Sequence, residues 1–304
     1  MFKSPFQIPS IPEDVKVVFV QDFFLDDLIG GAELSMDALH KSAPQKIAFI
    51  RSSEMSIGLA KSAEKKHWVF GNFAQLDPTI IQFFTTSNIS YSVYEHDYKF
   101  CRWRSVERHL IEGGEQCFCE SHPWGKLVES FFLGAKQLWF CSQRQLRRYQ
   151  DRLPSLLGAK CDVLSATFGD DFFQKIVPLI NSLPGRKKSG WLTLESSSWI
   201  KGTQDAKQWL ESNGKSYTTI SGMTPDQVFE AMANAEGFVC LPRGADVSNR
   251  MVTEAKLLGC NIVTNENVQH VGEEWLMHSD INYTLNWLYN RREVFWKRTL
   301  EFVS

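Results

Sequence analysis

Hydrophobic positions along the chain fall into short continuous runs, separated by stretches in which apolar residues recur every three or four positions. VKVVFV (15–20), KIAFI (46–50), HWVFGNF (67–73), ISYSVYE (89–95), QLWFCS (137–142) and CDVLSA (161–166) are such runs. Runs of this length bounded by polar turns predict strands buried on both faces, as in a parallel sheet. Between them AELSMDALHK, with Ala32, Leu34 and Leu39 apolar, predicts a helix. So do GKLVESFFLGA (125–135) and the basic QRQLRRYQDRL (143–153), while PTIIQFFTTS reads as helical or mixed. Strands alternating with helices predict a doubly wound α/β sheet.

The stretch TFGDDFFQKIVPLINSLPGRKKSG (167–190) carries a proline-glycine break and a basic cluster, and the pattern restarts after it. GWLTLES, SYTTIS, GFVCLPR and NIVTNE read as strands. DAKQWLESNG, TPDQVFEAMANA and NRMVTEAKLLG read as helices, the second with Thr224 as N-cap and Pro225 at its first position. The aromatic-rich end of the chain predicts one or two more helices. The expected organisation is a Rossmann-like domain over 1–170 and a second over 171–285. A helix over 286–304 is expected to pack back on the first. The length of 304 residues suits roughly two domains of about 150 each.

Composition changes this picture little. Hydrophobic residues at 43% and charged residues at 22% can build sizeable cores, and a net charge of −2 gives no global attraction to nucleic acid or anionic membrane. Basic segments such as QRQLRRYQDRL and GRKKSG remain able to meet an anionic surface locally. The seven cysteines lie partly in apolar runs (LWFCS, GFVCLP) and form no secreted disulfide pattern. The start of the chain lacks the apolar core of a signal peptide, and no apolar run approaches the ~18 residues of a membrane span. A cytoplasmic protein without an integral membrane segment is expected, able at most to sit peripherally on a membrane. Cys101, Cys117, Cys119 and His122 lack the usual pair of CxxC knuckles, so no metal and no resident cofactor is expected.

Two stretches can carry chemistry. FLDDLIGGAELSMDAL (24–39) places Gly30 and Gly31 between a strand and a helix. There the backbone can approach a phosphate or sugar closely, or simply bend. PRGADVSNRMVTEAKLLGCNIV (242–263) places Asp246 in a loop and Glu254 in a helix, with seven residues between them and the N–H groups of Val247, Ser248 and Asn249 near the helix start. Carboxylates suit sugar hydroxyls and N–H groups suit phosphate, although such acids are more commonly solvated. His96 follows the fourth predicted strand, where it can face a cleft or serve as a core histidine.

The acid-x7-Glu-Ala pattern before LGCNIV resembles the signature of retaining glycosyltransferases with the GT-B fold. GGAE (30–33), YEHDYKFCRWR (94–104) and SWIKG (198–202) resemble further stretches of that family in the same order. The resemblance implies two Rossmann-like domains facing a cleft. It implies ribose binding by Glu254, donor-sugar contact by Asp246 and diphosphate binding by Lys201. The glycine loop would face the donor phosphates and acceptor, with His96 beside the reacting sugar. Ser196 stands where family members carry a phosphate-binding Arg, and Asp246 where they carry Glu. The implied activity is metal-independent transfer from a nucleotide-diphosphate sugar to a glycan, a lipid-linked sugar or a modified base in DNA. The alternative is a non-catalytic descendant that binds a sugar nucleotide or a protein.

Overall fold

The structure, a computed structural model, describes residues 11–303; the first ten residues of the proline-marked lead and Ser304 lie outside it. The first half contains β1 (Val17–Gln21), α1 (Gly31–Lys41), β2 (Ile47–Arg51), α2 (Ile57–Ser62), β3 (His67–Phe70), α3 (Pro78–Thr86), β4 (Tyr91–Glu95), α4 (Val106–Gly113), α5 (Pro123–Gly134), β5 (Gln137–Phe140), α6 (Gln143–Arg152) and β6 (Cys161–Val163). The second contains α7 (Asp170–Asn181), β7 (Trp191–Leu194), α8 (Thr203–Ser212), β8 (Tyr217–Ile220), α9 (Pro225–Asn234), β9 (Gly237–Cys240), α10 (Arg250–Leu257), β10 (Asn261–Thr264), α11 (Glu274–Met277) and α12 (Ile281–Leu300).

The strands form two separate parallel sheets, ordered β2-β1-β3-β4-β5-β6 and β10-β9-β7-β8. Strands β1, β3, β4 and β5 are buried along their whole length, which is why they read as continuous apolar runs. In each sheet the order reverses beside the first strand, between β1 and β3 and between β7 and β9. Ligands of open α/β sheets bind outside the carboxyl ends of the strands at such a reversal, so the fold itself points to the loops after β1, β7 and β9.

Two differences from the predicted elements have simple causes. The stretch 167–190 holds α7, whose Phe172 and Ile176 enter the second core; Pro178 is tolerated inside it late in the helix. The last helix begins at Ile281, earlier than the expected 286, with Asp280 capping it through the Asn282 N–H. Its first half places Leu285, Trp287 and Leu288 against the second core. Its second half places Phe295 and Trp296 against Phe19, Leu39 and Trp139 of the first. Trp296 Nε1 donates to the Leu39 carbonyl at 2.9 Å, and Arg298 Nε to Gln137 Oε1 at 3.1 Å. Among the described residues no helix is long and apolar enough to cross a membrane.

Candidate functional site

The loop after β7 turns through Trp199–Lys201 and ends at Gly202, which lies in the left-handed region at φ 61°. Only glycine fits, because a Cβ there would come 1.8 Å from the Leu241 carbonyl oxygen of the loop after β9. This approach, fastened by the Arg243 N–H to Ile200 carbonyl bond at 3.0 Å, sets the two loops side by side. Lys201 Nζ then donates to Asp246 Oδ2 at 2.8 Å. Burial pulls the Lys201 ammonium down, but the Asp246 carboxylate outweighs it and holds the lysine above its usual range. About a third of the Lys201 side chain (33%) stays in solvent, open to a ligand.

Asn249 is the N-cap of α10: its Oδ1 accepts the Val252 N–H at 3.0 Å while its Nδ2 donates to Asp246 Oδ2 at 2.8 Å. The side chain therefore serves the loop. Val247 packs against first-domain residues, and Ser248 is half-buried. Ser196 accepts the Ser198 N–H through its hydroxyl at 3.1 Å and shapes the loop after β7.

Glu254, one helical turn after Arg250 on α10, is only 9% exposed. Burial raises its carboxyl above the usual range, with the Arg250 guanidinium opposing. None of the described residues donates a hydrogen bond to this carboxylate. Arg250 went unnoticed in the sequence, where attention falls on the acids; its spacing of four from Glu254 is the signal that could have found it. The guanidinium crosses to the first domain. It donates to the Thr167 carbonyl at 2.6 Å, lies 3.5 Å from the Ser35 hydroxyl and stacks 3.9 Å from the Phe168 ring centre, and burial pulls its pKa down.

Gly31 faces this arginine across the cleft, with a Cβ there 3.9 Å from Arg250 Cδ. Neither glycine has a left-handed backbone: Gly30 is extended (φ −134°, ψ 169°) and Gly31 opens α1. The positive φ that glycine permits is not used here. Gly30 instead leaves room for Glu33, whose carboxylate would lie 2.4 Å from an added Cβ. Gly31→Ala is accordingly expected to be stable, gaining about 0.4–1 kcal/mol through the unfolded chain. Thermal melting checks this. A loss of turnover at full stability would show that substrate occupies the gap before Arg250.

His96 follows β4, half-buried, with its ring 4.0 Å from that of Tyr94 and Nδ1 3.6 Å from Cys141 Sγ. Burial pushes its pKa down to about 3, so the ring is neutral at physiological pH. Its Nε2 is buried without a hydrogen-bond partner. A cavity of 650 Å³ opens further along the first domain, lined by Phe24, Glu33, Asp37, His40 and Phe49 among others; Lys201, Asp246 and Glu254 do not line it.

Two contacts close the cleft elsewhere. Glu107 of α4 accepts the Ala245 N–H at 3.3 Å, and Tyr98 Oη donates to Gln269 Oε1 at 2.7 Å. On the basic helix α6 three arginines are engaged and one, Arg147, is exposed: Arg144 bonds the Glu266 carbonyl, Arg148 pairs with Glu107 at 2.6 Å and Arg152 with Glu120 at 2.9 Å. Cys101, Cys117 and Cys119 do converge, but with His109; His122 lies exposed at the head of α5. Sequence spacing missed His109 because α4 folds it back over the loop.

No sequence profile of a known protein family matches this chain, and no curated protein matches it. Solved structures do. Over 95% of this chain and 99% of the other, it superposes on a UDP-forming α,α-trehalose-phosphate synthase from Burkholderia xenovorans with a TM-score of 0.53 at 9% identity. It superposes on the catalytic domain of starch synthase IV from Arabidopsis thaliana, bound to ADP and acarbose, with a TM-score of 0.54 at 8% identity, covering 95% of each chain. With two doubly wound parallel sheets whose reversal points meet at one cleft, the chain has the GT-B fold of these glycosyltransferases.

Proposed function

We propose that this chain transfers a sugar from a nucleotide-diphosphate sugar to an acceptor hydroxyl. The observation that carries the reading is Glu254: a nearly buried carboxylate, hydrogen-bonded by no described residue, on the helix that follows the reversal-point loop. A ribose supplies the hydroxyl donors such an acceptor lacks. Lys201 has three N–H donors, so it can keep Asp246 and still meet a diphosphate oxygen. Its charge, together with the N-termini of α8 and α10, stabilises the departing nucleotide diphosphate, so the transfer step requires no metal. Asp246 stands beside the lysine, suited to a sugar hydroxyl. The neutral His96, with Nε2 unpaired, suits a hydrogen bond to the sugar rather than proton transfer. Retention of anomeric configuration is carried over from the family resemblance.

For the acceptor, the cavity beside Glu33 joins the rings of Phe24 and Phe49 to carboxylates, surfaces that suit the faces and hydroxyls of a glycan. Three arginines of α6 are held by the protein itself, which disfavours a DNA acceptor. The second reading, a non-catalytic sugar-nucleotide binder, is favoured by Ser196 in place of an arginine and by the Lys201–Asp246 pair. Thermal shift with UDP, GDP and ADP sugars, followed by assay of slow donor hydrolysis, separates them: stabilisation without hydrolysis or transfer supports the second. Glu254→Ala is expected to weaken nucleotide binding by about 1–3 kcal/mol. Unchanged affinity by calorimetry would show that the ribose lies elsewhere.

A further inference from the structure

Outside the cleft, between β4 and α5, a long connection gathers Cys101, His109, Cys117 and Cys119, with one ligand atom from each all within 4.8 Å of one another. All four are buried, at 1%, 3%, 2% and 6% exposure. Their spacing is Cys-x7-His-x7-Cys-x-Cys. We propose that these four side chains bind one zinc ion that holds this connection in place.

The geometry supports four-coordination. With Zn–S near 2.3 Å and Zn–N near 2.0–2.1 Å, ligand atoms at the corners of a tetrahedron stand roughly 3.5–3.8 Å apart. Here His109 Nδ1 lies 3.5 Å from Cys101 Sγ and 3.3 Å from Cys119 Sγ. Thus Nδ1, not Nε2, is turned into the sulfur cluster. Nε2 is buried without a hydrogen-bond partner and lies 3.7 Å from the Glu115 carboxylate. A carboxylate behind the free nitrogen of a ligating histidine orients the ring and fixes its tautomer. A set of three sulfurs and one imidazole selects zinc over oxygen-seeking cations.

The local chain is folded to produce this arrangement. Cys101 sits in a tight turn closed by the Arg104 N–H to Cys101 carbonyl bond at 2.9 Å, with Arg104 at φ 56°. Ser105 caps α4, whose first turns aim His109 inward, and Gly114 at φ 69° reverses the chain. Phe118, between the last two cysteines, points outward at 58% exposure, leaving both thiols on the inner side. Binding releases three thiol protons to solvent and forms three Zn–S bonds and one Zn–N bond, so the site carries one net negative charge. Arg152, donating to the Cys117 carbonyl at 2.7 Å, lies beside that charge. The same α4 carries Glu107, which accepts the Ala245 N–H, so the ion would brace the helix that meets the second domain's loop.

The full chain, purified without added metal or affinity-tag histidines, should contain about one zinc ion by plasma mass spectrometry. Cobalt exchanged into it should give thiolate-to-metal charge-transfer absorption and the visible bands of a tetrahedral ion. Cys117→Ser and His109→Asn should lose the zinc, while Cys161→Ser should keep it. Chelation should lower Tm, and zinc should restore it. If the variants do not fold, the metal content and cobalt spectrum of the unmodified chain decide the matter alone. A chain with no bound zinc that takes up no cobalt overturns the proposal. So does a disulfide among these cysteines in native mass spectrometry, or zinc retained by folded Cys117→Ser and His109→Asn variants.

Discussion

Gly202→Ala is expected to be among the most damaging single substitutions in the second domain, costing about 3–5 kcal/mol from left-handed strain and overpacking together. Two effects coincide at this residue. Its φ of 61° is costly for any side chain, and the added Cβ would meet the Leu241 carbonyl at 1.8 Å. The obstacle is backbone, and it is pinned on the far side by the bond between the Arg243 N–H and the Ile200 carbonyl. Gly214, at φ 60° with open space where a Cβ would stand, isolates the first effect. Gly214→Ala should cost about 1–2 kcal/mol. Denaturant unfolding of both variants gives the comparison. If Gly202→Ala costs no more than Gly214→Ala, the two loops yield to each other, and the placement of Lys201 does not depend on their close approach.

For the sugar transfer proposed above, Lys201→Ala is expected to lower kcat by about 10²–10³-fold, the scale seen when one preorganised partner of a developing anion is removed. Stability should change little, because the side chain is a third exposed and its partner keeps the Asn249 amide. Asp246→Asn tests the other half of the pair. It frees the lysine charge for the diphosphate, so a bare nucleoside diphosphate should bind at least as well as before. The nucleotide sugar should lose affinity because Asp246 no longer accepts from the sugar as a carboxylate. Calorimetry with both ligands, beside steady-state rates, distinguishes these outcomes. A Lys201→Ala enzyme with normal kcat would place the leaving-group charge elsewhere.

The alternation of elements was legible because parallel strands buried on both faces are mostly apolar along their length, and Val-rich runs such as that of β1 announce this directly. Asp246, Glu254 and Lys201 stood out through their order along the chain, and the structure brings Lys201 to Asp246. Other features depend on contacts that local pattern does not encode. Helix α7 was hidden because the Pro184-Gly185 break and the basic cluster after it made the whole stretch read as a boundary, yet Phe172 and Ile176 keep the four-residue spacing that buries them. For Gly30 and Gly31 the expectation was of backbone that approaches a phosphate or sugar, or simply bends; the structure shows space left for Glu33 at Gly30 and a face turned to Arg250 at Gly31. His109 joined the cysteines only because the chain reverses at Gly114 after α4, and His122 was nearer to Cys119 in sequence but stayed outside.

Helix α12 also bears on the order in which the molecule can be made. The first sheet's strands are synthesised early, yet the cluster formed by Val17, Phe19, Leu39 and Trp139 is closed by Phe295 and Trp296. The bond from Trp296 to Leu39 spans 257 positions along the chain. During translation at about 5–20 residues per second, that apolar surface stays open until the second domain has emerged as well. The nascent first domain is thus a natural client for chaperones that cover hydrophobic surface, and its final packing awaits the ribosome's completion of α12.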